Sequence, residues 1–393
     1  MAKLLLTSDD SVYSCNGKFY AESRERYDFY QRYLRVFDKL RLVTRCVYED
    51  ELKPGRIELN PNQIEYIAVP FFSGPAQYAK QYFRVGKILR HITDGCDAAV
   101  LRLPSTVGQR VCDKVMRAGI PYATEIVFDA KDGYKSEHNP IHKILWYIIH
   151  HQMQNACYKA QGVSCVTEHY LQQNYYSKVP NAFSSHYSSL SLNRDFYLSA
   201  RMYPQKDTLN IVHVANQVEF NGRKGCNEVI KALNILKDRG VNAHVNFIGR
   251  DYHNGIHLLS GFAESLGVRD MLKFVGYANR EQLSKYLDSS DLFVMPTRAE
   301  GLPRVIIEAM AKGLPCITTP VSGNPELISE HFLVDYEDVE TLAGRIEELI
   351  KDKALYEAAS AENFNRSLQY EASILEKRRD EFYSKLKSCI KKS

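Results

Sequence analysis

The sequence predicts a doubly wound α/β protein of two domains, and three observations predict it. Short β-branched runs alternate along the whole chain with amphipathic stretches of helical period. Most of those runs are apolar without interruption, as strands are when helices cover both faces of a parallel sheet. The chain has 393 residues, the length of two ordinary domains rather than one.

The elements follow in order. MAKLLLTSDD has one Lys and a brief apolar run before two aspartates. A secretory leader needs a longer apolar core, so Lys3–Ser8 reads as a buried first strand. Further strands are expected at Leu40–Val47, Gln63–Pro70, Asp97–Pro104, Pro121–Asp129 and Val163–Glu168. Helices are expected at Glu22–Asp38, Ala76–Ile92, Thr106–Ala118 and Ile141–Tyr158. The rhythm breaks at Val179–Pro204, which is rich in Ser, Asn and Tyr and reads as the connection between domains. Strands resume at Leu209–Ala215, Ala243–Gly249, Leu272–Gly276, Leu292–Pro296, Cys316–Pro320 and Phe332–Asp335. The chain from Arg366 to Ser393 reads as one long polar helix packed along a domain edge, its apolar stripe being too thin for a membrane anchor. The expected division is therefore 1–200, 201–365 and a terminal helix over 366–393.

Composition removes several classes. The hydrophobic fraction is 45% and the charged fraction 25%, globular values that exclude a disordered regulator, a coiled coil and a collagen-like rod. The longest apolar stretch, Ile144–Ile149, is far too short to span a bilayer. Nine cysteines, none in a C-x-x-C pair, fit a reduced cytoplasm and argue against a zinc site or a disulfide framework. Residues 1–203 hold 26 Lys+Arg against 20 Asp+Glu, and 19 of the 26 tyrosines; the remainder holds 25 against 27. A basic, Tyr-rich half suits an anionic partner such as a membrane surface, a phosphorylated lipid or nucleic acid, or is simply a solvated surface.

The chemistry concentrates in Asp291–Ile328, DLFVMPTRAEGLPRVIIEAMAKGLPCITTPVSGNPELI. It parses as strand, loop, helix, strand, loop, helix. Thr297–Leu302 is the loop beyond a strand's carboxyl end, Pro303 suits a first helical position, and Gly313 with Pro315 supplies the stop. Ligands of open α/β sheets bind outside the carboxyl ends of strands, where helix N-termini also point. Glu300 lies in that loop and Glu308 in the helix, eight positions on.

The frame around the two glutamates resembles the E-x7-E signature of retaining nucleotide-sugar glycosyltransferases with the GT-B fold, glycosyltransferase family 4. That fold is two Rossmann-like domains facing a central cleft. The resemblance implies that Glu300 contacts the transferred sugar and Glu308 holds the nucleotide ribose. The backbone N–H groups of Gly301 and Leu302, ahead of Pro303, would face sugar and phosphates at a helix start, a geometry suited to anions.

A diphosphate clamp is expected on the same domain. NQVEFNGRKGCNEVIKAL after the Leu209–Ala215 strand resembles the family's G-R-L-x3-K-G loop, in which an Arg and a Lys grip the diphosphate. Lys224 fits the second position. The first position does not match, leaving Arg223, or Arg250 beside Gly249, as the replacement cation. Phe274-Val275-Gly276-Tyr277 resembles the F-x-G loop whose backbone reads the base, so Gly276 and Tyr277 are donor-site candidates. No two aspartates are two apart, so the D-x-D metal motif is missing; no metal and no cofactor are expected, and cations and a helix end do that work.

The first domain says less. The loop after its first strand offers Asp10, with Asp9 beside it, and Gly17 as acceptor-side candidates. Pro121–Asp129 resembles an element of a polysaccharide-synthesis branch of the family and adds Asp129, while Glu125 reads as a solvated acid. His150 and His151 occupy successive helix positions and cannot point one way. Helix Glu22–Asp38 mixes arginines with aromatics, either to rest on anionic lipid or, on the preferred reading, with its aromatics in the core. No nucleic-acid motif accompanies the charge.

The resemblance thus implies a metal-independent, retaining transfer of sugar from a nucleoside diphosphate sugar to a glycan or lipid-linked acceptor hydroxyl. It implies bacterial surface-polysaccharide synthesis, in the cytoplasm or at the inner face of the membrane. The rivals are a nucleotide-sugar epimerase of the same architecture and a non-catalytic scaffold.

Overall fold

The structure, a computed structural model, describes residues 1–132, 139–206 and 208–391. It divides into two units, Met1–Tyr187 with the chain from Glu376 onward, and Ser188–Leu375.

The first unit opens with β1 (Lys3–Cys15), β2 (Lys18–Ala21), α1 (Arg24–Leu34), β3 (Lys39–Tyr48), β4 (Ile57–Glu58) and β5 (Ile64–Pro70). It continues with α2 (Gly74–Ile88), β6 (Ala98–Leu103), α3 (Thr106–Ala118), β7 (Tyr122–Ile126), α4 (Pro140–Tyr158), β8 (Gly162–Cys165) and β9 (Phe183–His186). Seven strands run parallel in the order β5-β3-β1-β6-β7-β8-β9, and β2 and β4 pair antiparallel at the far end of β1. The core of β1 is Leu4, Leu5 and Leu6, all fully buried. β1 is longer than expected, because a register shift between Thr7 and Ser11 lets Ser11–Ser14 go on pairing with β3, and Cys15 pairs with β2. Asp9 and Asp10 lie in that shift. Asn16 and Gly17 both have positive φ, 49° and 76°, as the tight hairpin turn into β2 requires.

Helix α3 shows how the helices are specified. Ser105 caps it by accepting from the Gly108 N–H, Gly119 ends it at φ 67°, and Val107, Val111, Cys112 and Val115 make its buried stripe. Each buried valine contributes about 1.5 kcal/mol or more. Helix α1, shorter than the expected Glu22–Asp38, buries Phe29, Tyr30 and Tyr33; its aromatics lie in the core.

The second unit contains β10 (Leu209–Val218), α5 (Cys226–Asp238), β11 (Ala243–Asp251), α6 (Gly255–Ser265), β12 (Leu272–Gly276), α7 (Arg280–Ser289) and β13 (Leu292–Met295). There follow α8 (Arg304–Ala311), β14 (Cys316–Thr318), the short α9 (Asn324–Leu327), α10 (Val339–Lys351) and α11 (Lys353–Ser367). Its five strands are all parallel, in the order β12-β11-β10-β13-β14. The strand order reverses beside β10, between β10 and β13, the kind of switch point at which a ligand crevice opens.

Three expectations change. The stretch Val179–Pro204 is not wholly a connection: Phe183–His186 pairs with β8, and the division falls after Tyr187. Phe332–Asp335 is not a strand; its apolar residues pack behind a single bridge between Thr318 and Leu333. The terminal helix is two helices, broken by a 3-10 turn at Leu368–Tyr370. The last, α12 (Ala372–Ser388), packs into the first unit from Glu376 on: Glu376 and Asp380 pair with Arg35 at 2.9 and 3.3 Å, and Lys387 Nζ donates to Val36 O at 2.6 Å.

Candidate functional site

In a parallel sheet every carboxyl end opens on one edge. On that edge of the second unit lie the loop 219–225 after β10, Arg250 at the end of β11, Gly276 and Tyr277 after β12, and Thr297–Leu302 after β13.

The loop after β10 is folded tightly against the loop after β13. Gly225, the residue before α5, has φ 75°. A Cβ there would lie 1.9 Å from Pro296 O, so only glycine fits. Arg223 O accepts from the Arg298 N–H at 2.9 Å and from Thr297 Oγ1 at 3.2 Å. These contacts turn the Lys224 side chain towards the neighbouring loop, where its ammonium is ion-paired with the Glu300 carboxylate. Glu300 is held from behind in turn. Ser322 Oγ donates to Glu300 O, and the Gly323 N–H donates to Gly301 O at 3.0 Å.

Burial, with the Arg223 guanidinium second, brings the Lys224 ammonium down to about 8 from 10.5. The Glu300 carboxylate in contact with it favours the charged form. Lys224 is therefore a desolvated cation dependent on an anionic partner, a role that a diphosphate can fill as well as a carboxylate. Beneath it, on β10, His213 is fully buried. Its Nδ1 lies 2.9 Å from Val294 O and its Nε2 lies 3.5 Å from Cys226 Sγ. Burial pushes this imidazole down to about 4, so it is neutral at neutral pH, and the floor under Lys224 adds no second cation.

The other donor-side candidates fall in two places. Gly301, Leu302 and Pro303 are buried in the turn into α8, with Pro303 capping the helix one position earlier than expected. Glu308 is partly buried in the second turn of α8. Arg223 and Arg250 are exposed, and the Arg250 guanidinium lies over the Tyr277 ring, 4.7 Å from its centroid. Gly249 brings β11 against β10, since a Cβ there would sit 2.2 Å from Ala215 O. Gly276 has φ 81° with open space around it.

Sequence reasoning missed Tyr336 and Arg298. The Tyr336 hydroxyl is 2.9 Å from Glu228 Oε2 and 3.1 Å from Gly222 O, and the Arg298 guanidinium lies 4.3 Å from the Tyr336 ring centroid. Together they brace the loop that carries Lys224. An isolated tyrosine more than a hundred positions downstream gives no sequence signal for this. Among the described residues no group of three or more His, Cys, Asp or Glu side chains is placed to hold a metal ion.

On the first unit the acceptor-side candidates are largely occupied. Asp10 pairs with Arg26 at 2.8 Å and accepts from Ser8 Oγ at 2.6 Å. Gly17 serves the hairpin turn. Asp129 is fully buried and accepts from Tyr175 OH at 2.7 Å, beside His150, whose Nδ1 lies 2.9 Å from the same hydroxyl. Glu125 is not a solvated acid: it is 2% exposed and bound by Arg102 and the hydroxyls of Tyr33, Tyr187 and Tyr383. The neighbour of Asp10 instead faces open space. Asp9 lines a cavity of about 640 Å³ with Arg45, Ser105, Arg110 and the helices α2 and α4. Burial raises the Asp9 carboxyl against the opposing pull of Ser105 and Arg45.

The second unit carries a paired Lys and Glu at the switch point of a parallel sheet, the first unit is largely a parallel α/β sheet, and the fold is the GT-B fold. Residues 203–366, less than half of the chain, match the family described as glycosyl transferases group 1. The chain is similar to Protein CapJ of Staphylococcus aureus, 24% identical over 92% of this chain and 90% of CapJ. It is also similar to the amylovoran biosynthesis glycosyltransferase AmsK of Erwinia amylovora, 32% identical over 43% of this chain and 45% of AmsK. HepE from Anabaena, solved in complex with UDP and glucose, superposes with a TM-score of 0.65 at 13% identity, covering 96% of this chain and 98% of HepE.

Proposed function

We propose that this protein moves a sugar from a nucleoside diphosphate sugar to a hydroxyl of a glycan or lipid-linked acceptor, with retention of anomeric configuration and without a metal. The single observation that carries this reading is the Lys224–Glu300 pair at the carboxyl edge of the second sheet. In the resting protein the two neutralise each other. A diphosphate replaces Glu300 as the partner of Lys224, with Arg223 or Arg250 as the second cation. That frees the Glu300 carboxylate for the hydroxyls of the transferred sugar. Glu308 holds the ribose, and Gly276 and Tyr277 meet the base.

In the reaction the bond from the anomeric carbon to the diphosphate oxygen breaks. The bond from the acceptor oxygen forms on the same face of the sugar, and the acceptor proton passes to the departing phosphate oxygen. Negative charge grows on the diphosphate as it leaves, and a preformed desolvated cation stabilises it without reorganisation. Each charged hydrogen bond there is worth roughly 1.5–3 kcal/mol.

The amylovoran glycosyltransferase among the relatives supports a place in bacterial surface-polysaccharide synthesis, and the UDP and glucose bound to HepE support the donor class. We place the protein in the cytoplasm, touching the inner face of the membrane through its basic N-terminal half; no helix among the described residues is long and apolar enough to cross a membrane.

The test is a thermal-shift screen against nucleotides and nucleotide sugars, followed by assay of nucleoside diphosphate release with and without chelator. Stabilisation by one nucleotide sugar, and release that survives chelator and is lost in Glu300→Ala, is the expected result. Conversion of the nucleotide sugar without an acceptor would establish an epimerase instead. Indifference of every readout to Glu300→Ala would leave a scaffold.

A further inference from the structure

The first sheet has a switch point of its own. From β1 the strands run one way through β3 to β5 and the other way through β6 to β7. A ligand crevice is therefore expected between β1 and β6, at the carboxyl edge. The cavity of about 640 Å³ lies there: Asp9 comes from β1, Arg45 from the last turns of β3, Phe72 from beyond β5 and Ser105 from beyond β6. Ser105 Oγ donates to Asp9 Oδ1 at 2.7 Å. That bond joins the two strands flanking the switch point, as the Lys224–Glu300 pair joins the two loops in the second unit. Pockets that take small ligands run to roughly 300–1,000 Å³, and this one falls among them.

Its polar side chains are held in place by their neighbours. The Arg110 guanidinium lies 3.9 Å from the Tyr82 ring centroid, and its Nη1 donates to Tyr82 O at 2.9 Å and to Tyr78 OH at 3.2 Å. Gly86 permits that approach to α2, since a Cβ there would lie 2.5 Å from Arg110 Nη2. Arg45 Nη1 donates to Phe72 O at 3.0 Å, and the Phe72 ring packs 5.0 Å from that of Tyr78. Helix α4 adds Trp146, which is half-buried.

Charge and shape select the occupant. Two carboxylates, Asp9 and Asp113, line the cavity with two guanidiniums, Arg45 and Arg110, so the formal charges cancel. A diphosphate entering here would meet both carboxylates, whereas a neutral polyol would not be opposed. Carboxylates only accept and guanidiniums only donate, so the two kinds together satisfy hydroxyl groups, which do both. Tyr78, Tyr82 and Trp146 supply flat rings against which the C–H face of a sugar can pack.

We infer that this cavity is the acceptor subsite and that it takes an uncharged saccharide ring, held through its hydroxyls by Asp9 and Arg110 and through its C–H face by Tyr78 and Trp146. The inference rests on the transfer proposed above and narrows its acceptor: the protein recognises sugar, not the diphosphate of a lipid carrier.

The test titrates the full chain with methyl glycosides of glucose, galactose and N-acetylglucosamine, and with inorganic diphosphate, while following the emission of Trp146, its one tryptophan. At least one glycoside is expected to change the emission saturably. Asp9→Asn, and separately Tyr78→Leu, are expected to weaken that glycoside about tenfold or more, with the nucleotide thermal shift unchanged. In the transfer reaction both should raise KM for the acceptor and leave KM for the donor alone. If no glycoside is felt, the inference falls, and a diphosphate response that persists in Lys224→Ala would assign the cavity to a charged acceptor instead. If a glycoside binds but neither variant weakens it, the sugar sits elsewhere and the inference is overturned. Stabilisation by a nucleotide sugar without any glycoside response removes this subsite and leaves the proposed transfer standing; a glycoside response without nucleotide binding does the reverse.

Discussion

Lys224 and Glu300, 76 positions apart, form an ion pair across the two loops that flank the switch point of the second sheet. Neither loop holds its side chain alone. Gly225 lets the first loop reach Pro296, and Ser322 and Gly323 fix the backbone of the second. The pair joins a cation and an anion that a nucleoside diphosphate sugar would separate and use one at each end.

Replacing either partner is expected to remove activity far more than stability. Lys224→Ala should lower turnover by about 10²–10³, the usual effect of removing one preorganised group facing developing charge. Both it and Glu300→Ala should still fold, because the loops are held mainly by backbone contacts. Initial rates of diphosphate release beside melting curves check this.

Glu300 also controls the protonation of Lys224. In Glu300→Gln, burial and Arg223 act without an opposing carboxylate and carry the lysine below its wild-type value. Its charge, and with it the affinity for a nucleoside diphosphate, is then lost at a lower pH. Calorimetric titration of the diphosphate from pH 6 to 10 should show affinity falling off at a lower pH in the variant than in the wild type.

Two glycines with similar positive φ should behave differently. Gly225→Ala drives a Cβ into Pro296 O and must displace the Lys224 loop, whereas Gly276→Ala meets open space. The second should cost only about 1–2 kcal/mol of left-handed strain, the first more than that together with donor binding. Urea midpoints and nucleotide thermal shifts separate the two.

His213 predicts the acid limit of stability. Its folded value is depressed from 6.5 to about 4 by burial, so the unfolded chain binds the proton first. The stability this contributes is complete above 6.5 and is lost as pH falls towards 4, roughly 3 kcal/mol in all. His213→Phe should flatten that limb in urea unfolding measured between pH 4 and 7.

The Glu125 cluster predicts the alkaline limit. Burial first, and the Glu125 charge after it, raise the hydroxyls of Tyr33, Tyr187 and Tyr383 far above their ordinary 10.0. Groups raised in this way stabilise the fold fully below 10 and lose that contribution as pH rises beyond it. Tyr383→Phe should relieve part of this alkaline loss, at a cost of about 1 kcal/mol at neutral pH. Glu125→Ala, which strands the partly buried Arg102, should cost about 3 kcal/mol at neutral pH.

The fold class and the Asp291–Ile328 segment were legible in the sequence because their signals are local. Apolar strands, a capped α3 and the loop–helix frame around Glu300 each depend on residues near one another in the chain. The missed elements show the limit. Ser11–Ser14 and Phe183–His186 are polar enough to read as loops, and only pairing with strands far away in sequence makes them strands. Glu125 read as solvated because its partners come from α1, β6, the stretch after β9 and α12.

The sequence by itself determined that this is a doubly wound α/β chain carrying two carboxylates and a lysine of the group 1 glycosyltransferase pattern, since periodicity and motif spacing are written in adjacent residues. Only the tertiary structure decided that Lys224 meets Glu300 and that Asp9 rather than Asp10 faces a cavity. It also decided that α2 and α4 leave Phe83, Ile144 and Tyr147 exposed. Those outcomes depend on which distant segments exclude water from a side chain, and burial is a property of the packed molecule rather than of any stretch of it.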